Sequence, residues 1–156
     1  MNTLSFLERA LLIAEQHSAD GKNGPFGAVI VKNDKIIDEG WNRVVENHDT
    51  TGHAEIVVIR DACKVLHTHN LSGCTIYCSC EPCPMCLSAI YWARIDSVIY
   101  AASQEDAAHA GFDDSFLYHE IGQSWRQREL KSEQHLAEKG RWVLQKWREN
   151  PHKINY

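Results

Sequence analysis

Apolar positions recur first at helical spacing: Leu4, Leu7, Leu11 and Ala14 share one face, and Asp20-Gly21 marks where that helix should stop. Asn23-Gly24-Pro25 reads as a turn. Residues 26–31 and 36–41 then read as strands joined through Asn33-Asp34, a hairpin signal. A helix is predicted over about 53–66, apolar at Ile56, Ile59, Ala62, Cys63 and Leu66. Residues 74–80 alternate as a third strand, with Cys74, Ile76, Cys78 and Cys80 on one face. Pro84 suits a first helical turn, so 84–93 should be the next helix. A short buried strand is expected at 97–101, a short helix at 104–110, and an amphipathic helix around 138–148. A hairpin followed by helix, strand, helix and strand predicts helices on both faces of a mixed sheet. In such sheets sites gather at strand ends, where the following helices begin.

Length adds little to this picture: 156 residues fit one domain with a real core, and no repeat, low-complexity stretch or linker interrupts it. No apolar run approaches the roughly 20 residues of a membrane span, so no membrane association is expected. Glu8 and Arg9 fall inside the first helical pattern, which argues against a cleaved leader and for a cytoplasmic setting. A disulfide framework is then not the natural use of six cysteines. Charge is uneven. Residues 1–120 carry 8 basic and 17 acidic groups, whereas 121–156 carry 8 basic and 4 acidic. The net of −9 on the body disfavours a nucleic-acid partner. The +4 tail is a solvated basic helix face, a segment docking on an acidic surface of its own or a partner subunit, or an RNA contact.

Two short motifs carry chemistry, both at predicted helix starts: His53-Ala54-Glu55 and Glu81-Pro82-Cys83-Pro84-Met85-Cys86. Two thiols three apart on a first helical turn point the same way, and His53 supplies a third ligand. Three protein ligands leave a fourth position for water, the arrangement of a catalytic zinc. Helix amino termini favour the anionic thiolates, and zinc brings a bound water's pKa to about 7. Glu55 is then a proton carrier beside the metal; standing alone it would be an acidic residue stabilising a helix start. Cys80, Cys83 and Cys86 also spell C-x-x-C-x-x-C, a cluster motif that lacks an equally placed fourth cysteine. A four-cysteine zinc knuckle wants a second cysteine pair, and a redox C-x-x-C leaves His53-Ala54-Glu55 unexplained. Cys63, Cys74 and Cys78 read as core.

The two motifs match the H-x-E…P-C-x-x-C signature of zinc nucleobase deaminases. Gly24 to Val31, Ser79 to Cys86, Ala89 to Arg94 and Ala110 to Phe116, with its Phe112-Asp113-Asp114-Ser115-Phe116 core, resemble the bacterial guanine deaminases, and the resemblance runs to Tyr156. It implies an α/β, three-layer α/β/α cytidine-deaminase-like fold with a five-stranded mixed sheet. It implies hydrolysis of guanine to xanthine and ammonia, with zinc on His53, Cys83 and Cys86 and with Glu55 moving protons. It further implies a homodimer in which a segment from about 121 onward is exchanged, so that Tyr156 closes the partner's site; a frayed end is the alternative. Asn42 becomes a purine-edge contact rather than a turn residue. Asp114 binds a guanine N–H edge or relays a proton, unless it is a helix cap. Ala54 lies against the substrate, and Phe26 and Trp92 sandwich the base unless they are ordinary core. A tRNA adenosine deaminase, a deaminase of guanosine or another aminated heterocycle, and a non-catalytic zinc module are the rival readings.

Overall fold

The computed structural model describes residues 3–156. The described residues divide into two compact units, 3–115 and Phe116–Tyr156. The first unit is built on a four-stranded sheet in the order β2-β1-β3-β4. β1 (Gly27–Lys32) pairs antiparallel with both β2 (Lys35–Trp41) and β3 (Cys74–Cys80), whereas β3 and β4 (Ser97–Ala102) run parallel. The hairpin turn forms where the sequence places it: Asn33 and Asp34 both take positive φ, 50° and 58°, as a two-residue type I′ turn demands.

Helix α1 (Thr3–Ser18) covers one face of this sheet. Phe6, Ala10 and Ile13 pack there with Val29, Val31 and Tyr77. On the opposite face α3 (Ala54–Val65) and α4 (Pro84–Trp92) bring Ala54, Val58, Ala62 and Ile90 against Ala28, Ile30, Cys74, Ile76 and Cys78. The result is a three-layer α/β/α body. Burying each large aliphatic or aromatic side chain contributes roughly 1.5–3 kcal/mol, so both faces are needed to hold the sheet. Outside these cores, Arg9 on α1 donates twice to the Glu39 carboxylate of β2, at 2.7 and 2.6 Å.

Four strands replace the five that the resemblance implies. After β4 the chain turns at once into α5 (Gln104–His109), because Ser103 forms a capping box with Asp106 that starts a helix. β4 therefore stays at the edge among the described residues, and its expected burial is not met: Tyr100 and Ala101 are exposed. Two short helices absent from the expectation also form, α2 (Val44–Asn47) and α6 (Ser115–Gly122). The second unit holds most of α6 and all of α7 (Ala137–Glu149). No helix among the described residues is long and apolar enough to cross a membrane.

Close backbone approach fixes where α3 begins. At Gly40 of β2 an added Cβ would stand 3.0 Å from the Ala54 carbonyl oxygen and 3.2 Å from Val58. The first turn of α3 thus rests directly on the strand, and only glycine leaves it room. Gly40→Ala is expected to destabilise the fold by about 1–3 kcal/mol through overpacking, read as a lower urea midpoint at an unchanged slope.

Candidate metal centre and active site

Two helix starts converge on one point. His53 is the N-cap residue of α3 and Cys83 the N-cap residue of α4, both with extended backbone and neither spending its side chain on the cap. Pro84 follows at the first helical position, where its missing N–H costs no bond, and Cys86 completes the turn. The approach to His53 is a bonded loop. Asp49 accepts from the Thr51 amide at 2.9 Å and hydroxyl at 2.7 Å, and Arg60 holds the other Asp49 oxygen at 3.3 Å.

His53 Nδ1 lies 3.6 Å from Cys83 Sγ and 3.5 Å from Cys86 Sγ. The three ligand atoms all fall within 4.8 Å of one another. Tetrahedral zinc, with bonds of about 2.3 Å to sulfur and 2.0–2.1 Å to nitrogen, sets sulfur and nitrogen about 3.6 Å apart, so the donors present fit the ion. All six cysteines are free, so no disulfide consumes the pair. Cys83 is drawn down to about 4, first by its hydrogen bond with Cys86 and then by His53, while Cys86 is pushed up by the same shared proton. A thiolate is therefore already favoured at Cys83, as a ligand requires. Cys80 differs. Burial raises its thiol to about 11, its Sγ lies 3.5 Å from the Ser103 carbonyl oxygen, and it stands outside the ligand group.

Glu55, in the first turn of α3, is buried, with Oε2 3.4 Å from Cys86 Sγ. Burial raises its pKa above the ordinary carboxyl value. A carboxyl in that state readily holds a proton and passes it on.

The sequence profile of the cytidine and deoxycytidylate deaminase zinc-binding region matches residues 1–102. The chain belongs to the cytidine and deoxycytidylate deaminase family. Among its relatives, the guanine deaminase of Bacillus subtilis is 49% identical over 156 residues, all of both chains. The X-ray structure of that protein superposes with a TM-score of 0.96, covering 100% of this chain and 99% of the other. A guanine deaminase from Nitrosomonas europaea is similar at 32% identity and a TM-score of 0.68, over 72% of this chain and 65% of that one. A tRNA-specific adenosine deaminase of Aquifex aeolicus is 42% identical over 68% of each chain.

Around the metal centre of this deaminase the remaining expected residues fall into three groups. Asn42, Phe26 and Ala54 lie on the first unit's inner surfaces. Asn42 is buried just past β2, its backbone N–H donating to the Phe26 carbonyl at 3.1 Å and its side-chain Oδ1 accepting from the Val44 backbone N–H at 3.2 Å, so the turn reading holds for that oxygen. A Cβ on Gly24 would stand 3.1 Å from the Phe26 ring and 3.4 Å from Asn42 Cγ, which brings these two side chains to one place. Ala54 is fully buried in the core between His53 and Glu55.

Asp114 forms the second group: its Oδ1 is buried without a hydrogen-bond partner, and desolvation raises its pKa. The third group is exposed. Trp92 ends α4, six residues beyond Cys86 and about 9 Å along the axis, and is 66% exposed. Tyr156 belongs to the second unit and is 70% exposed.

Two contacts went unremarked in the sequence. Phe112 meets Phe26 edge-on, with centroids 4.9 Å apart at 84°, and Glu81 Oε2 accepts from the Gln104 amide at 3.0 Å. Both sit inside recognisable motifs, yet only the tertiary fold gives them partners.

Purified protein is expected to carry about one zinc per chain by elemental analysis. His53→Ala and Cys83→Ser should lose the ion to a mild chelator, whereas Cys80→Ser and Glu55→Gln should keep it.

Proposed function

We propose that this chain is a zinc-dependent guanine deaminase, hydrolysing guanine to xanthine and ammonia. The observation that carries this reading is full-length similarity to a guanine deaminase, at 49% identity, around an intact His53, Cys83, Cys86 and Glu55 constellation. When bound, zinc supplies the Lewis acidity that makes water nucleophilic near neutral pH.

The chain's own residues handle the base and the protons. Glu55 takes a proton as water oxygen adds to C2 and delivers it to a ring nitrogen beside that carbon. It then takes the second proton from the hydroxyl now on C2 and passes it to the exocyclic amine, so that the C2–N bond breaks, ammonia leaves and the C2 carbonyl forms. Its raised pKa supports a carboxyl that holds the proton between these transfers. Asn42 donates to and accepts from the purine edge, Phe26 stacks on its face, and Ala54, carrying only a methyl group, leaves room beside Glu55. Asp114 presents its unpartnered oxygen to a guanine N–H edge, which supplies the partner that this oxygen lacks.

In our reading the working enzyme is a cytoplasmic homodimer that exchanges the segment from about 121 onward. Six free cysteines fit a reducing compartment. Within the second unit Trp142, Val143, Leu144 and Trp147 of α7 are exposed, an apolar surface that a second copy would cover. The opposite net charges of body and tail favour the same docking. Trp92 and Tyr156 then complete the pocket across the dimer, Tyr156 excluding water from the reacting base.

The tRNA deaminase reading draws on similarity to about two thirds of the chain, and the acidic body opposes a phosphate backbone. Zinc-loaded protein offered guanine, guanosine, adenine, cytosine and tRNA should release ammonia from guanine, with little dependence on salt. Release from tRNA alone, falling steeply with salt, would replace this reading with the other. Glu55→Gln should lower turnover by about 10²–10⁴-fold at full zinc content. Removal of residues 150–156 should cost at least about tenfold in turnover with zinc retained, if the tail shields the reacting base. Near-normal turnover of the truncated chain would end the role given to Tyr156.

A further inference from the structure

β2 is an edge strand, and its ladder with β1 ends at the pair Gly27 and Trp41. Just there α1 lies against the backbone of β1: a Cβ on Gly27 would run into the Ala10 carbonyl oxygen and stand 2.8 Å from the Ala14 nitrogen. His17 follows Ala14 by three residues and so shares its helix face. Its ring stacks on the Trp41 indole, with centroids 3.7 Å apart and 5° between the planes. Arg43 brings its Cζ to 3.8 Å from the Trp41 ring centre. Two groups that near to one ring do not fit on a single face, so Trp41 is clamped between an imidazole and a guanidinium.

Stacking is what holds the indole, because Trp41 Nε1 and Arg43 Nε are buried atoms without a hydrogen-bond partner. Trp41 packs on the α1 side of the sheet. Side chains alternate across a strand, so the next residue, Asn42, turns toward the α3 side, and the Phe26 ring that shares its place packs against that core. Past Trp41 the backbone is tied at two points: the Asn42 N–H donates to the Phe26 carbonyl at 3.1 Å, and the Arg43 N–H to the Gly52 carbonyl at 2.8 Å. Asn42 therefore sits in a short stretch bound on one side to Phe26 and on the other to the residue before His53. The clamp stands at the root of that stretch.

We propose that Trp41 is a positioning residue for the deamination reaction: held between His17 and Arg43, it fixes the end of β2 so that the Asn42 side chain keeps one orientation toward the edge of the base. Trp41, His17 and Arg43 touch neither base nor metal in this account; they act through Asn42. With either face of the indole uncovered the strand end regains freedom, and the purine-edge bonds of Asn42 form only at an added ordering cost. Those bonds are made in the bound base before and during reaction, so weakening them raises KM and leaves kcat in place. The inference rests on the role given to Asn42 above.

The test uses zinc-loaded protein and reads guanine turnover together with the dissociation constant of the product xanthine. Arg43→Met uncovers one face of the indole yet keeps the backbone N–H for Gly52, and His17→Ala uncovers the other face from a residue remote in sequence. Each should raise KM for guanine by about three- to tenfold, the size of one net hydrogen bond, with kcat within about twofold, zinc retained and xanthine binding weakened in step. His17→Phe restores a flat ring over Trp41 and should keep KM within about twofold of wild type. Asn42→Ala should raise KM at least as far, and His17→Ala added to it should cost less than about twofold more. A fall in kcat at constant KM, the mark of lost folded or metal-loaded protein, overturns the proposal, as does an unchanged KM in His17→Ala and Arg43→Met. It is overturned equally by His17→Phe behaving no better than His17→Ala, or by losses that multiply in the Asn42→Ala background; Asn42 keeps its role in all four cases. A normal KM in Asn42→Ala removes that role and this inference with it, and a wild-type chain inactive on guanine removes the proposed function itself.

Discussion

Everything in the active half of this protein depends on two helix amino termini being brought to one point on the sheet. His53 and Cys83 each stand at the last extended residue before a helix, with their side chains left out of the local cap. The unsatisfied N–H groups of a helix start favour negative charge, and here two such starts face the same small volume. Anionic thiolate and carboxylate are stabilised there, while burial of Glu55 works the other way and favours its neutral form. One site thereby holds a sulfur that prefers to be ionised and a carboxyl that prefers its proton. That opposition separates metal ligand from proton carrier within a few ångströms, and it follows from backbone placement more than from any one side chain.

Placement of that order needs the sheet. α3 can start where it does because Gly40 lets its first turn touch β2, and α4 starts where β3 runs out at Cys80. β3 is central, paired antiparallel to β1 and parallel to β4, and buried on both faces. A shift in its register by one residue would move Cys74, Ile76 and Cys78 out of the α3/α4 core and turn the Cys80–Cys83 loop with them. The metal loop is then stapled sideways to the start of α5, so both flanks of Cys83 are bound to regular structure.

Much of this was legible in the residues. The bounds of β3 coincide with the alternation over 74–80, and α3, α4 and α7 fall within a residue or two of their periodic patterns. The metal group is the set that ligand spacing singles out, because cysteines three apart on a first helical turn have little freedom in where they point. What was not legible has physical reasons. β4 reads as buried because Val98 and Ile99 are apolar, yet burial depends on what lies beyond an edge, and no further strand pairs there among the described residues. α2 is a single turn and α6 only eight residues, too short for periodicity to stand out. Trp92 stands at the exposed end of α4, six residues beyond Cys86, and its proposed contact with the base depends on the second copy of the chain.

Similarity at this level constrains chemistry more tightly than substrate. Sequence similarity to a tRNA-specific adenosine deaminase extends over about two thirds of the chain. Selectivity must therefore come from groups that recognise a particular edge of a base. The Asn42 side-chain oxygen is already engaged by the Val44 backbone N–H, which lowers its freedom to flip and fixes the sense in which it would read the proposed partner. Asp114 offers an acceptor with no internal partner. A base with two adjacent N–H donors, as on the guanine edge, satisfies that oxygen, while the N6 amine and N1 acceptor of adenine set a lone pair against it. A buried acceptor left facing another acceptor costs on the order of 1–3 kcal/mol, enough for a ten- to hundredfold preference without any steric exclusion. On the role proposed for Asp114, discrimination between purines would follow from the same buried oxygen that finds no partner within the protein.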